Sequence, residues 1–130
     1  MRVVRTAQEI DAALVRCASE ARAAFGSDAL YVERLLDDAR HIEVQIIGDD
    51  SGAISHLWER ECSLQRRHQK LVEIAPSPWL AEPLRQRIVE AALVLARAAR
   101  YANLGTFEFL VEPGSGRFAF IEANPRLQVH

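Results

Sequence analysis

The strongest constraint on the fold is a period-two stretch in the middle of the chain. Over His41–Ile47, Ile42, Val44 and Ile46 alternate with Glu43, Gln45 and Ile47. That is the repeat of a strand with one buried face. The turn cluster Asp49-Asp50-Ser51-Gly52 follows at once, and Ile54–Glu59 reads as a further strand, so a hairpin is the simplest link. Strands are also expected over Ala29–Leu36, Thr106–Val111 and Phe118–Ala123, and Leu71–Ala75 could add a short one not counted in the main order. Pro76 and Pro78 end the Leu71 segment, and Pro113-Gly114-Ser115-Gly116 is a turn between the last two.

Two segments carry the helical period instead. Thr6-Ala7-Gln8-Glu9 has the form of a capping box, with Thr6 as N-cap and Glu9 reaching back. Ile10, Leu14, Cys17, Ala21 and Ala24 then predict a helix from about 7 to 24, stopped at Gly26. A second helix is expected from about 80 to 101, with Leu84, Ile88, Ala91, Leu95 and Ala98 as its apolar stripe. Asn103-Leu104-Gly105 would close it. The order α–βββ–α–ββ implies an α+β domain with an antiparallel sheet and two main helices.

Bulk properties exclude several classes. The chain has 130 residues, is 49% hydrophobic and 26% charged, and carries a net charge of −2. That suits one soluble globular domain. The acidic balance argues against a nucleic-acid binder. No apolar run reaches the ~20 residues of a membrane span, and Met1-Arg2-Val3-Val4-Arg5 lacks the apolar core of a signal peptide. Cys17 and Cys62 form no CxxC pair, so neither a zinc site nor a disulfide framework follows, and a reduced intracellular compartment is expected. Among the sixteen basic residues only Lys70 is a lysine.

Three polar clusters could carry chemistry. Glu59-Arg60-Glu61-Cys62-Ser63-Leu64-Gln65-Arg66-Arg67-His68-Gln69-Lys70 could grip phosphates through charge-assisted donors, or be a solvated loop. Glu108 lies between Phe107 and Phe109, so alternation puts its carboxylate on the face opposite both rings, where it could equally meet solvent. Glu122 and Asn124 are two apart and share a face, a hard-oxygen pair suited to Mg²⁺ or Mn²⁺. A simple four-residue loop at 113–116 would pair Glu108 with Ile121 and turn Glu108 away from Glu122. Bringing the two carboxylates together needs an odd loop or a β-bulge.

Taken together, Glu59–Lys70 followed by Leu71-Val72-Glu73-Ile74-Ala75-Pro76-Ser77-Pro78, Gly105–Leu110 and Phe120–Val129 resemble the ATP-grasp domain of biotin carboxylases, which serve acyl-CoA, pyruvate and urea carboxylases. Tyr31–Leu36 and Arg40–Gln45 also fit, so the resemblance runs over essentially the whole chain. It implies ATP-dependent formation of carboxyphosphate from bicarbonate, then carboxylation of the biotin on a carrier domain. The cofactors implied are ATP and two Mg²⁺ or Mn²⁺ ions, with biotin as carrier-bound substrate. By position Glu108, Glu122 and Asn124 would hold metal. Lys70 and Arg126 would be catalytic and, with Gln128 and Val129, would bind bicarbonate and biotin. Glu33, Arg34 and Leu36 would receive adenine; His41, Gln65 and His68 would contact the ribose and nucleotide. The family commonly has Lys where Arg34 stands.

The resemblance also implies a partial domain over residues 1–130, beginning after the family's glycine-rich loop and ending at the bicarbonate motif. The family reads Gln-Val-Glu-His where this chain reads Gln128-Val129-His130. The isolated chain is therefore expected to lack carboxylase activity. The implied partners are a biotin carrier domain and a carboxyltransferase, with no nucleic acid and no membrane, and self-association through exposed apolar surface. The setting would be cytoplasmic, or the mitochondrial matrix in a eukaryote. A ligase of the carbamoyl-phosphate synthetase type and a non-catalytic, self-associating module are the alternatives.

Overall fold

A computed structural model of the chain describes residues 1–67 and 69–127. It falls into two compact units, Met1–Leu35 and Leu36–His130. In the first unit a 3₁₀ turn, Ala7–Glu9, leads into helix α1, Ile10–Phe25. The capping box forms as expected: Glu9 Oε2 accepts the Arg5 and Thr6 backbone N–H groups at 2.8 and 3.4 Å. Gly26 ends the helix at φ 74°, donating its N–H to Arg22 O at 3.0 Å. Residues 29–36 do not form the expected strand. They carry strand-forming side chains, but strand propensity is realised only where a neighbouring strand supplies the ladder, and none of the described strands pairs with them.

The second unit is one antiparallel sheet covered on one face by a helix. Its strands are β1 (Arg40–Gly48), β2 (Ile54–Arg66), β3 (Gln69–Ile74), β4 (Asn103–Val111) and β5 (Phe118–Asn124), in the spatial order β3-β2-β1-β4-β5. The hairpin between β1 and β2 turns where expected. Asp49 Oδ1 accepts the N–H groups of Ser51 and Ala53 at 2.9 and 3.0 Å, and Gly52 takes φ 88°. The β2 strand then runs seven residues past its expected end. The polar run from Glu61 is therefore not a loop but the second half of β2, returning through Arg67 (φ 53°) into β3.

Helix α2, Glu82–Ala98, lies over β1 and β2. Ile88, Val89, Ala92, Leu93 and Ala96 pack on Ile42, Val44, Ile46, Phe107, Phe109 and Val111. The buried stripe is thus turned by about one residue from the expected one, leaving Leu84, Ala91 and Leu95 at its margin. The helix also stops earlier than expected. Arg100 adopts φ 48° and Tyr101 N donates to Ala96 O at 2.9 Å, so Asn103 is free to begin β4. Tyr101 then caps the β1–β4 junction so closely that a Cβ on Gly48 would lie 2.1 Å from its carbonyl oxygen.

Candidate active site

The face of the sheet away from α2 carries the polar residues. Cross-strand register places Arg60, Glu43, Glu108 and Glu122 side by side in one row over β2, β1, β4 and β5. The last pairing depends on an irregularity. Val111, Leu110 and Phe109 pair regularly with Phe118, Ala119 and Phe120, but Glu108 then pairs with Glu122, not Ile121. Ile121 is the extra residue of a bulge. The bulge that the sequence required for a joint carboxylate site is present, while Phe107 and Phe109 remain in the core on the other face.

Like charges directly opposite one another repel, and Glu43 and Glu108 are almost fully buried. Three cationic or ring N–H groups offset this. Lys70 Nζ lies 2.5 Å from Glu43 Oε2 and 3.1 Å from Glu108 Oε1. His41 Nε2 is 2.5 Å from Glu108 Oε2. Arg60 Nε donates to Glu43 Oε1 at 2.7 Å and lies 3.3 Å from Glu73 Oε2. Burial alone would raise the Glu108 pKa; contact with His41 and then Lys70 outweighs it and holds the carboxyl at about 2. Burial would lower the Lys70 pKa, but its hydrogen bonds to Glu43 and Glu108 raise it above the ordinary lysine value.

Further contacts orient this group. Gln65 Nε2 is 2.7 Å from His41 Nδ1 and donates to Cys62 O at 2.8 Å. Asn124 Nδ2 donates to Glu108 Oε1 at 2.8 Å and Glu122 Oε1 at 3.3 Å. One amide NH₂ thus spans both carboxylates, and rotation of that amide about its Cβ–Cγ bond would turn Oδ1, the atom able to ligate, toward the same span, giving a small cation two carboxylates and an amide oxygen. This donor set fits a hard divalent ion. Arg126 is exposed; its N–H donates to Asn124 O at 2.8 Å, and its carbonyl accepts Thr106 Oγ1 at 3.4 Å.

Lys70, His41, Gln65, Glu108, Glu122 and Asn124 are therefore brought together on one face, with Arg126 at the end of β5. Glu33 and Arg34 are exposed residues of the first unit, and Leu36 is half-buried at the start of the second. His68, Gln128 and Val129 lie outside the described residues. Sequence reasoning gave Glu43 no role and took Arg60 only as one cation of the Glu59–Lys70 run. Their signal was present, since Glu43 falls on the polar phase of the β1 alternation, but only register shows that it faces Glu108. It also did not separate Glu59 and Glu61, which lie on the α2 face, from the rest of that run. Glu59 Oε1 accepts Arg85 Nε at 2.9 Å and Ser77 N at 3.1 Å; Glu61 accepts Arg40 at 2.5 Å and Ser77 Oγ at 2.8 Å. These pairs clamp the segment after β3 to the sheet.

Residues 1–130 match the family described as "Carbamoyl-phosphate synthase L chain, ATP binding domain". The chain belongs to this family. Within this ATP-binding family it is 54% identical over 129 residues to a pyruvate carboxylase of Bacillus subtilis, covering 99% of the chain but 11% of that protein. It is similar to a biotin carboxylase of Campylobacter jejuni solved as a nucleotide complex, at 48% identity and TM-score 0.91, over 99% of the chain and 29% of that one. The biotin carboxylase domain of the Hydrogenobacter thermophilus 2-oxoglutarate carboxylase, solved with MgADP and bicarbonate, matches at 40% identity and TM-score 0.86, over 98% and 28%. The expected likeness to the biotin carboxylases and the antiparallel α+β fold are both borne out. The chain spans about a tenth of the length of the curated carboxylase it matches. No helix among the described residues is long and apolar enough to cross a membrane.

Proposed function

We propose that this chain supplies one wall of a biotin carboxylase active site, at which ATP and bicarbonate give carboxyphosphate and carrier-bound biotin is then carboxylated. The observation that carries the reading is the bulge-set pairing of Glu108 with Glu122, spanned by Asn124 and adjoined by Lys70. Glu108, Glu122 and Asn124 would hold two Mg²⁺ or Mn²⁺ ions. Such ions neutralise the phosphate oxygens of a phosphoryl transfer, in which positioning and charge stabilisation do most of the work. The Lys70 ammonium and Arg126 guanidinium would draw in bicarbonate, whose oxygen attacks the terminal phosphorus as ADP leaves. The biotin nitrogen would then take the carboxyl group as the carboxyl–phosphate C–O bond breaks, the departing phosphate carrying off the N–H proton. Gln128 and Val129 would complete the bicarbonate pocket.

His41, Gln65 and His68 would meet the ribose side of the nucleotide, and Glu33, Arg34 and Leu36 the adenine. The parent protein would bring a biotin carrier and a carboxyltransferase, and would work in the cytoplasm or a mitochondrial matrix. A carbamoyl-phosphate synthetase-type ligase is the second reading, favoured by the description of the matching family. Identity of about half to pyruvate carboxylases over 129 residues weighs against it. Calorimetric titration of the chain with ATP and Mg²⁺ tests the site. Weaker binding in Glu122→Gln is expected; unchanged binding would refute the metal assignment.

A further inference from the structure

Lys70 is the chain's only lysine, and its ammonium lies within the carboxylate row. The Lys70 side chain is 15% exposed, and those of Glu43 and Glu108 are 1% and 3% exposed. Glu43 and Glu108 oppose one another directly, so a cation between them relieves a repulsion the sheet itself creates. The Glu108 oxygen that meets Lys70 is also the one that meets Asn124. One carboxylate oxygen is thus shared between the ammonium and the side chain that links Glu108 to Glu122.

We propose that Lys70 is a resident counter-ion that competes with the divalent cation for Glu108, keeping the carboxylates a poor metal site until the ammonium is drawn away. The proposal rests on the reading of Glu108 and Glu122 as metal ligands. Two features of the chain make such a displacement feasible. Lys70 has a second anchor in Glu43, at 2.5 Å, so the ammonium can leave Glu108 without losing all charge compensation. Glu43 is itself held from its other side by Arg60, whose fork also meets Glu73, so that anchor stays in place. An incoming oxyanion, bicarbonate or a phosphate, supplies the pull on a compact ammonium at the end of a flexible stem. Metal loading is thereby coupled to arrival of the anionic substrate. The competition is sizeable: a unit charge about 5 Å from a divalent ion weakens its binding roughly tenfold even at the dielectric constant of water.

The test is Mn²⁺ binding without nucleotide, read from the paramagnetic resonance signal of the free ion. Lys70→Met and Lys70→Gln are expected to bind Mn²⁺ about tenfold more tightly than wild type, and adding Glu108→Gln is expected to remove the gain. Equal affinity in wild type and Lys70→Met overturns the proposal. A second readout needs no variant. Because Lys70 is the only lysine, its acetylation by an N-hydroxysuccinimide ester can be followed by peptide mass spectrometry. Saturating Mn²⁺ is expected to accelerate it severalfold; an unchanged rate with Mn²⁺ bound overturns the displacement. The two readings fail separately. Mn²⁺ binding with ATP that is lost in Glu122→Gln upholds the metal ligands whatever the lysine does. Absence of Mn²⁺ binding in wild type and Lys70→Met alike, with or without ATP, removes the ligand reading and this proposal with it.

Discussion

Replacing Glu108 by Gln should change how the second unit responds to acid. The carboxyl of Glu108 has an ordinary value of 4.5 and is held at about 2 in the fold, where His41 and Lys70 outweigh the effect of burial. Between those values the unfolded chain binds a proton that the folded chain does not, so stability rises with pH across that window. The contribution is fully present above pH 4.5 and is lost as pH falls towards 2. At about 1.4 kcal/mol per pH unit the difference amounts to at most about 3 kcal/mol. Urea unfolding measures it, read by tryptophan fluorescence. Trp58 and Trp79 both belong to the second unit, so the signal reports the unit that holds Glu108. The stability gap between wild type and Glu108→Gln should narrow steadily from pH 4.5 to 2. The Glu61 carboxyl, which Ser77, Arg40 and Ser63 hold low against burial, titrates in both proteins and cancels. A gap that stays constant over this range would refute the claim that Glu108 is held ionised by its neighbours.

Two further outcomes are expected. Arg85→Met leaves the buried Glu59 carboxylate with Ser77 N but without its guanidinium. It should cost about 3–5 kcal/mol in urea unfolding, and the double change Glu59→Met/Arg85→Met should recover most of that. Cys62 is fully buried and its thiol pKa is pushed far up, by burial and then by Glu43, whereas Cys17 is half-buried. Iodoacetamide followed by peptide mass spectrometry should label Cys17 in the native protein and Cys62 only after unfolding.

The parts legible in the sequence are those whose signal is local. The Thr6–Glu9 cap, the Gly26 stop, the Asp49–Gly52 turn and the β1 alternation each act over a few residues, and each appears where it was expected. Residues 29–36 and 61–66 went wrong in opposite directions for one reason. A strand exists only if another strand pairs with it, and neither segment names its partner. Residues 29–36 have strand-forming side chains but no partner among the described strands. Glu61–Arg66 look like a loop because their burial partners, Arg40 and Ser77, lie far away in the chain. The order α–βββ–α–ββ is right, yet one of its three early strands is a different segment. The site was legible as residue types and as a condition: Glu108 and Glu122 can meet only through a register shift. That the shift occurs at Ile121, and that Glu43 is the third carboxylate of the row, required the pairing itself.

The two faces of the sheet treat buried carboxylates differently, and the contrast separates architecture from chemistry. Under α2, Glu59 has Arg85, Glu61 has Arg40, and both meet Ser77, so each acid is compensated by its own arginine and a fixed hydrogen bond. Such pairs have little reason to rearrange, since separating either partner leaves a buried charge uncompensated. On the opposite face, cations are shared instead. Lys70 serves Glu43 and Glu108, Arg60 serves Glu43 and Glu73, and the described contact of Glu122 is an amide rather than a cation. A row held by shared cations can exchange one of them for an incoming ion without leaving any carboxylate bare. That asymmetry, more than the number of acidic residues, is why the Glu43–Glu108–Glu122 row reads as a working site and the Glu59–Glu61 pair as a clamp.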